Sequence, residues 1–146
     1  MSTQEKEQWF VAVKMFLRDG ENLLILKDIF DDGWDLPGGR IRKNEFETPL
    51  PDIVARKMRE EVGKEVVYKL NETPKIFFRH ERTEAETGET VRIFAIGYEA
   101  TYTSGTVTLG KHMDRYEWVD AKIFNAKDYF RGGWLKGVEE YQTLQK

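Results

Sequence analysis

The 146-residue chain has no cysteine. That removes disulfides, zinc–thiolate sites and thiol nucleophiles together, and it suits a reducing compartment. No apolar run approaches the roughly 18 residues of a membrane span, and the start, MSTQEKEQWF, lacks the apolar centre of a secretory signal. A soluble cytoplasmic protein without a membrane partner is expected. An excess of one charge is missing too: 23 Lys and Arg face 26 Asp and Glu, and a net charge of -3 offers no general attraction to nucleic acid or an anionic bilayer. There is no internal repeat, low-complexity tract or linker.

What remains is 40% hydrophobic and 13% aromatic. That suffices for one domain over residues 1–146 with a real core. The run Trp9 to Leu17, the Asp19-Gly20 turn and the run Asn22 to Leu26 predict a β-hairpin. Residues 27–35 follow as a polar rim with four aspartates, Phe30 and Trp34. Further strands are expected over 65–70, 75–80 and 91–102, with a short one around Val107 and a last one over 116–119. The spacing of Phe130, Trp134, Leu135, Val138 and Tyr141 predicts a terminal amphipathic helix. Strands interleaved with two helices imply an α/β class, a mixed central sheet covered on both faces.

One stretch, WDLPGGRIRKNEFETPLPDIVARKMREEVG over residues 34–63, organises the rest. Pro37-Gly38-Gly39 interrupts regular structure and lets a ligand approach the backbone closely. Thr48 as N-cap and Pro49 as first residue predict a helix that runs to Val62 and stops at Gly63. Steps of 100° set Val54, Ala55, Met58 and Val62 on one side and Arg56, Lys57, Glu60 and Glu61 on the other. Adjacent carboxylates at Glu60 and Glu61, with a carbonyl near Gly39, make a hard oxygen site suited to Mg2+ or Mn2+. Read blandly, Arg56/Glu60 and Lys57/Glu61 are ordinary i,i+4 pairs on a solvated helix, each worth about 0.2–0.5 kcal/mol.

The stretch resembles the signature box of the Nudix hydrolases, G-x5-E-x7-R-E-U-x-E-E-x-G-U with U aliphatic. Gly39, Glu45, Arg56, Met58, Glu60, Glu61 and Gly63 fall on the pattern. Ten residues rather than seven separate Glu45 from Arg56, Lys64 replaces the last aliphatic residue, and Lys57 replaces the glutamate after the arginine. The resemblance implies a Nudix-like α/β/α sandwich and cleavage of a nucleoside diphosphate linked to another group, with a divalent ion held by Glu60, Glu61 and the Gly39 carbonyl, and Glu45 as a further metal ligand or a support behind them. It also makes Arg56 an orienting partner of the carboxylates.

A protonated lysine at 57 can be neither general base nor metal ligand, so it is expected either to weaken the reaction or to contact a substrate phosphate. His112, six residues before Trp118, is a candidate replacement base; a solvated loop histidine is the plain alternative. His80 and Glu47 are weaker candidates, read as ordinary strand-end and loop residues. Gly38, Gly39, Trp34 and Phe30 are the expected substrate contacts, the aromatics by stacking on a base. The rival to a hydrolase is a Nudix-fold sensor or regulatory module that binds a nucleotide-like ligand without turning it over. A homodimer is admitted, though no residue argues for it.

Overall fold

The structure, a computed structural model, describes residues 4–30 and 32–145. Of the acidic rim, Asp31 therefore lies outside the described residues. The elements run β1 (Phe10–Asp19), β2 (Asn22–Asp28), β3 (Gly38–Arg40), α1 (Leu50–Val62), β4 (Val67–Leu70), β5 (Ile76–Thr83), β6 (Thr90–Ser104), β7 (Met113–Asp120) and α2 (Gly132–Leu144), with single 3-10 turns at Lys43–Glu45 and Ala126–Asp128. All seven strands form one mixed sheet. β1 and β6 run parallel in register from Phe10↔Ile93 to Arg18↔Thr101. β5 and β4 follow each other along the far side of β6, and β7 closes the sheet against β2.

The expected hairpin is present but splayed. β1 and β2 pair only at Arg18↔Leu23 and Asp19↔Asn22. Beyond that the segment 35–41 enters between them: Asp35 and Leu26 exchange backbone hydrogen bonds, the Met15 N–H donates to the Pro37 carbonyl, and Gly38–Arg40 pairs with Ala12–Lys14. The Gly-Gly turn of the sequence is thus a short strand inside the sheet. At Gly38, with φ +145°, any Cβ would lie 2.0 Å from the Val13 carbonyl oxygen. Only glycine fits there.

Alternation along β1 divides the core. Val13, Met15 and Leu17 pack with Leu24 and Leu26 against Ile53, Val54, Met58 and Val62 of α1. Phe16, with Leu23 and Ile25, packs on the other face against Val138 and Tyr141 of α2. The Phe16 and Tyr141 rings stack at 4.0 Å. This is the α/β/α sandwich, with the expected helix face changed in one place: Ile53 is buried where Ala55 was expected.

Other boundaries moved for physical reasons. Pro49 is the N-cap and Pro51 sits in the first turn, so α1 starts a residue or two later than Thr48-Pro49 suggested. The strand expected around Val107 is absent. Its backbone is spent on α1 instead, where Thr108 N–H donates to the Val62 carbonyl and Gly110 N–H to the Glu61 carbonyl. Those are carbonyls a helix C-terminus leaves open, and the contact pins the end of α1 that carries both glutamates. β7 begins at Met113, three residues before the last strand expected over 116–119, because residues 113–120 pair with β2. No helix is long and apolar enough to cross a membrane among the described residues.

Candidate active site

A hollow of about 210 Å³ opens where segment 35–41 meets the end of α1, and Lys14, Asp35, Gly38, Gly39, Lys57, Glu61, His112 and Trp134 border it. A second, of about 410 Å³, adjoins it and shares Lys57, Glu61 and His112, adding Glu60 and Arg42. Larger hollows of about 590 and 620 Å³ lie near Trp9 and Arg92, but neither is bordered by Gly38, Gly39, Lys57, Glu60 or Glu61.

Glu61 is the buried member of the pair, its side chain 14% exposed, while Glu60 is at 38%. Glu61 Oε1 accepts the Gly38 N–H at 2.9 Å. Burial pushes its carboxyl from an ordinary 4.5 up to about 7, against the pull of Lys14 and the Gly38 amide. Glu60 goes the other way. Burial raises it, but hydrogen bonds and charge from Arg56 and Lys57 hold it below the usual carboxylate range. Arg42 is a third cation on the same group, at 3.1 Å from Oε2.

Glu45 stands behind this pair. Arg56 grips it with both prongs, Nε to Oε2 at 2.6 Å and Nη2 to Oε1 at 2.7 Å, while Oε1 also accepts the Arg42 N–H. The longer spacer is taken up by a turn at 46–48, where the Thr48 N–H donates to the Glu45 carbonyl, and by the first turns of α1, and Glu45 still reaches Arg56. With both oxygens committed, Glu45 supports the helix end rather than offering an open donor.

His112 and Phe30 are brought to the hollow together, with rings tilted at 43° and 5.3 Å apart. Trp34 is only 9% exposed and meets Tyr129 edge-on at 5.2 Å, with its backbone N–H on the Tyr129 carbonyl. It borders a smaller neighbouring hollow of about 190 Å³ rather than the one containing Glu61. Glu47 stays exposed on the loop before α1.

Two residues not expected at the site, Lys14 and Trp134, border it, and His80 lies behind Trp134. Lys14, 4% exposed, donates to Asp35 Oδ1 at 2.9 Å and Oδ2 at 3.0 Å, and its ammonium lies 4.7 Å from the Trp134 ring centre. A lone lysine within the apolar run of β1 was the available signal. Trp134, expected on the apolar side of the terminal helix, lies in the first turn of α2 and stacks on His80 at 4.2 Å. His80 Nδ1 accepts the N–H groups of Gly133 and Trp134 at 3.1 and 3.3 Å, so an imidazole caps the helix. Gly133 permits this approach, since a Cβ there would sit 1.8 Å from the Arg79 carbonyl oxygen.

Burial pushes His80 down to about 4, and its acceptor role requires the neutral ring. Its folded value lies below its unfolded one. The cap is therefore intact above about pH 6.5 and is lost as pH falls through about 4. His80→Ala is expected to lower stability at pH 7.5 by about 1 kcal/mol, a typical cap value. It should also flatten the acid limb between pH 6.5 and 4, read from urea melts.

A sequence model of the NUDIX domain matches residues 8–134. The chain belongs to the Nudix hydrolase family. By sequence, no curated protein matches it. Solved structures share its fold at low identity. A MutT protein from Methanosarcina mazei Go1 superposes with a TM-score of 0.69 at 20% identity, covering 98% of this chain and 99% of the other. The dihydroneopterin triphosphate pyrophosphohydrolase of E. coli gives 0.66 at 14%, covering 94% and 99%. An ADP-ribose pyrophosphatase from Streptococcus suis gives 0.61 at 10%, covering 95% and 93%.

The family generally uses a divalent ion. Among the described residues no three His, Asp or Glu side chains are grouped to hold one. Glu60 and Glu61 remain, with Gly39 beside them. Mg2+ keeps several waters and is commonly held by one or two carboxylates plus substrate phosphates, so two glutamates and a carbonyl fit it when a phosphate ligand completes the shell.

Proposed function

We propose that this Nudix domain hydrolyses the diphosphate link of a small nucleoside-diphosphate derivative, with Mg2+ or Mn2+ held by Glu60, Glu61 and the Gly39 carbonyl. One observation carries the reading: a single hollow is bordered by Gly38, Gly39, Lys57 and the buried carboxylate of Glu61, with His112 on its rim. Of the solved structures named above, one is named for ADP-ribose, a nucleoside diphosphate derivative, and another for dihydroneopterin triphosphate; the first agrees with this ligand class.

The chain's own groups divide the work. Lys57 receives the phosphates as a point charge, its stem lying over Gly39 where no Cβ holds it away. Arg56 fixes the end of α1 through Glu45, so the carboxylates are held before any ligand arrives. His112 can take a proton from a water at the mouth of the hollow, with Phe30 packed against its ring. When bound, the ion supplies neutralisation of charge on the leaving phosphate and polarises phosphorus.

The test is a hydrolysis screen over nucleoside triphosphates, ADP-ribose, nucleotide sugars and dinucleoside polyphosphates with Mg2+ or Mn2+. Turnover of one class, reduced at least about tenfold in Glu60→Gln, is the expected result. A second reading is favoured by Lys57 lying where the family pattern has a glutamate: a module that binds the ligand without cleaving it. Tight binding with no turnover of any compound would select it. Full activity in His112→Ala would remove the histidine from the mechanism.

A further inference from the structure

Lys57 is fixed in an unusual place. Its stem runs over Gly39 so closely that a Cβ there would lie 2.2 Å from Cε and 2.6 Å from Nζ. Its ammonium is 3.3 Å from Glu60 Oε1 and 3.7 Å from Glu61 Oε2, and its side chain is 17% exposed. A cation therefore already bridges the two carboxylates on which a divalent ion depends. It is also the cation of that end of α1 that faces both adjoining hollows. Arg56 is committed to Glu45 by both prongs, and Arg42 is 57% exposed.

These contacts compete. Glu60 has Arg42 and Arg56 as further partners, so losing Lys57 leaves it paired. Glu61 keeps the Gly38 N–H. A diphosphate carries more charge than either carboxylate and offers several oxygens to one ammonium, so it can draw Lys57 off both glutamates. What the phosphates take from the carboxylates is what a divalent ion needs removed.

We propose that Lys57 is the site's resident cation: the free protein takes up a diphosphate on Lys57 without any divalent ion, and the ion gains Glu60 and Glu61 only after the diphosphate has moved Lys57 away. The ligand class rests on the function proposed above. Ligand and ion then favour each other's binding through one side chain, and the coupling is reciprocal. Removing the ammonium acts in opposite directions on the two, which a purely structural role for Lys57 would not do.

Two calorimetric titrations of the full chain test this: inorganic pyrophosphate in EDTA, and Mn2+ without ligand. Lys57→Met, which keeps the stem, is expected to weaken pyrophosphate about tenfold or more and to tighten Mn2+ by a similar factor. Lys57→Glu should go further in both directions, and Lys122→Met, on the exposed turn after β7, should change neither. Loss of both affinities in Lys57→Met and Lys57→Glu, or no change in either, would overturn the proposal. Wild-type turnover with unchanged titrations overturns it while leaving the hydrolase intact. Opposite shifts with no turnover support it and leave the domain a binding module.

Discussion

Glu61→Gln is expected to reduce kcat/KM by roughly a hundred- to a thousandfold, and at the same time to make the metal-free protein more stable above neutral pH. Both effects have one cause. The side chain is only 14% exposed, and burial pushes its carboxyl up to about 7 from 4.5. A group whose folded value is raised adds stability that is whole below its unfolded value and is lost as pH rises through the folded one. The Glu61 contribution to wild-type stability should fall between about pH 4.5 and 7, by about 3 kcal/mol over such an interval, against the opposite slope that His80 contributes over much of the same range. Glutamine copies the neutral carboxyl, keeps an oxygen for the Gly38 N–H and titrates nowhere. Its urea midpoint should match wild type near pH 4 and exceed it at pH 8, in EDTA. A variant both inactive and less stable at pH 8 would sink the idea that this carboxylate is retained for chemistry at a cost to the fold.

The need for glycine at both ends of the 34–63 stretch was legible because local rules fix it: Gly38 at φ +145° and the helix stop Gly63 at φ +92° depend on backbone freedom that few other residues have. The α1 face and both layers of core followed from periodicity, which hydrophobic burial imposes on any such sheet. Three things were out of reach. Gly38–Arg40 is a strand because β1 and β2 splay and leave an open edge, and no pattern within three residues announces that. Residues 105–110 look like a strand from Val107 and its threonines, yet their N–H groups are taken by the end of α1. His80 and Trp134 lie 54 residues apart in the chain and meet through α2 docking on β5. Local propensity describes what a segment prefers, whereas these three depend on which partner the fold brings.

Lys14→Met is expected to destabilise the protein by about 2–4 kcal/mol, short of the figure for a fully buried pair because Asp35 keeps partial access to water. The lysine is 5% exposed and Asp35 23% in their side chains, and Lys14 also reaches the Leu36 carbonyl at 3.5 Å. Methionine fills the same space beside Trp134 but removes the ammonium from the Asp35 carboxylate, which keeps the Leu36 N–H at 2.7 Å. The double variant Lys14→Met/Asp35→Asn removes both charges and should recover most of the loss, giving a coupling energy of about 2 kcal/mol in a double-mutant cycle. The pair has a second consequence for the site. Lys14 is the strongest force drawing the Glu61 carboxyl downward, and the Asp35 charge drives it up. Lys14→Met should therefore carry Glu61 higher still, moving the descending limb of the stability profile to more alkaline pH. In the double variant the two changes oppose and the limb should return toward its wild-type position. If the single variant loses stability equally at every pH, Lys14 acts on packing alone and the electrostatic link between the two faces of β1 fails.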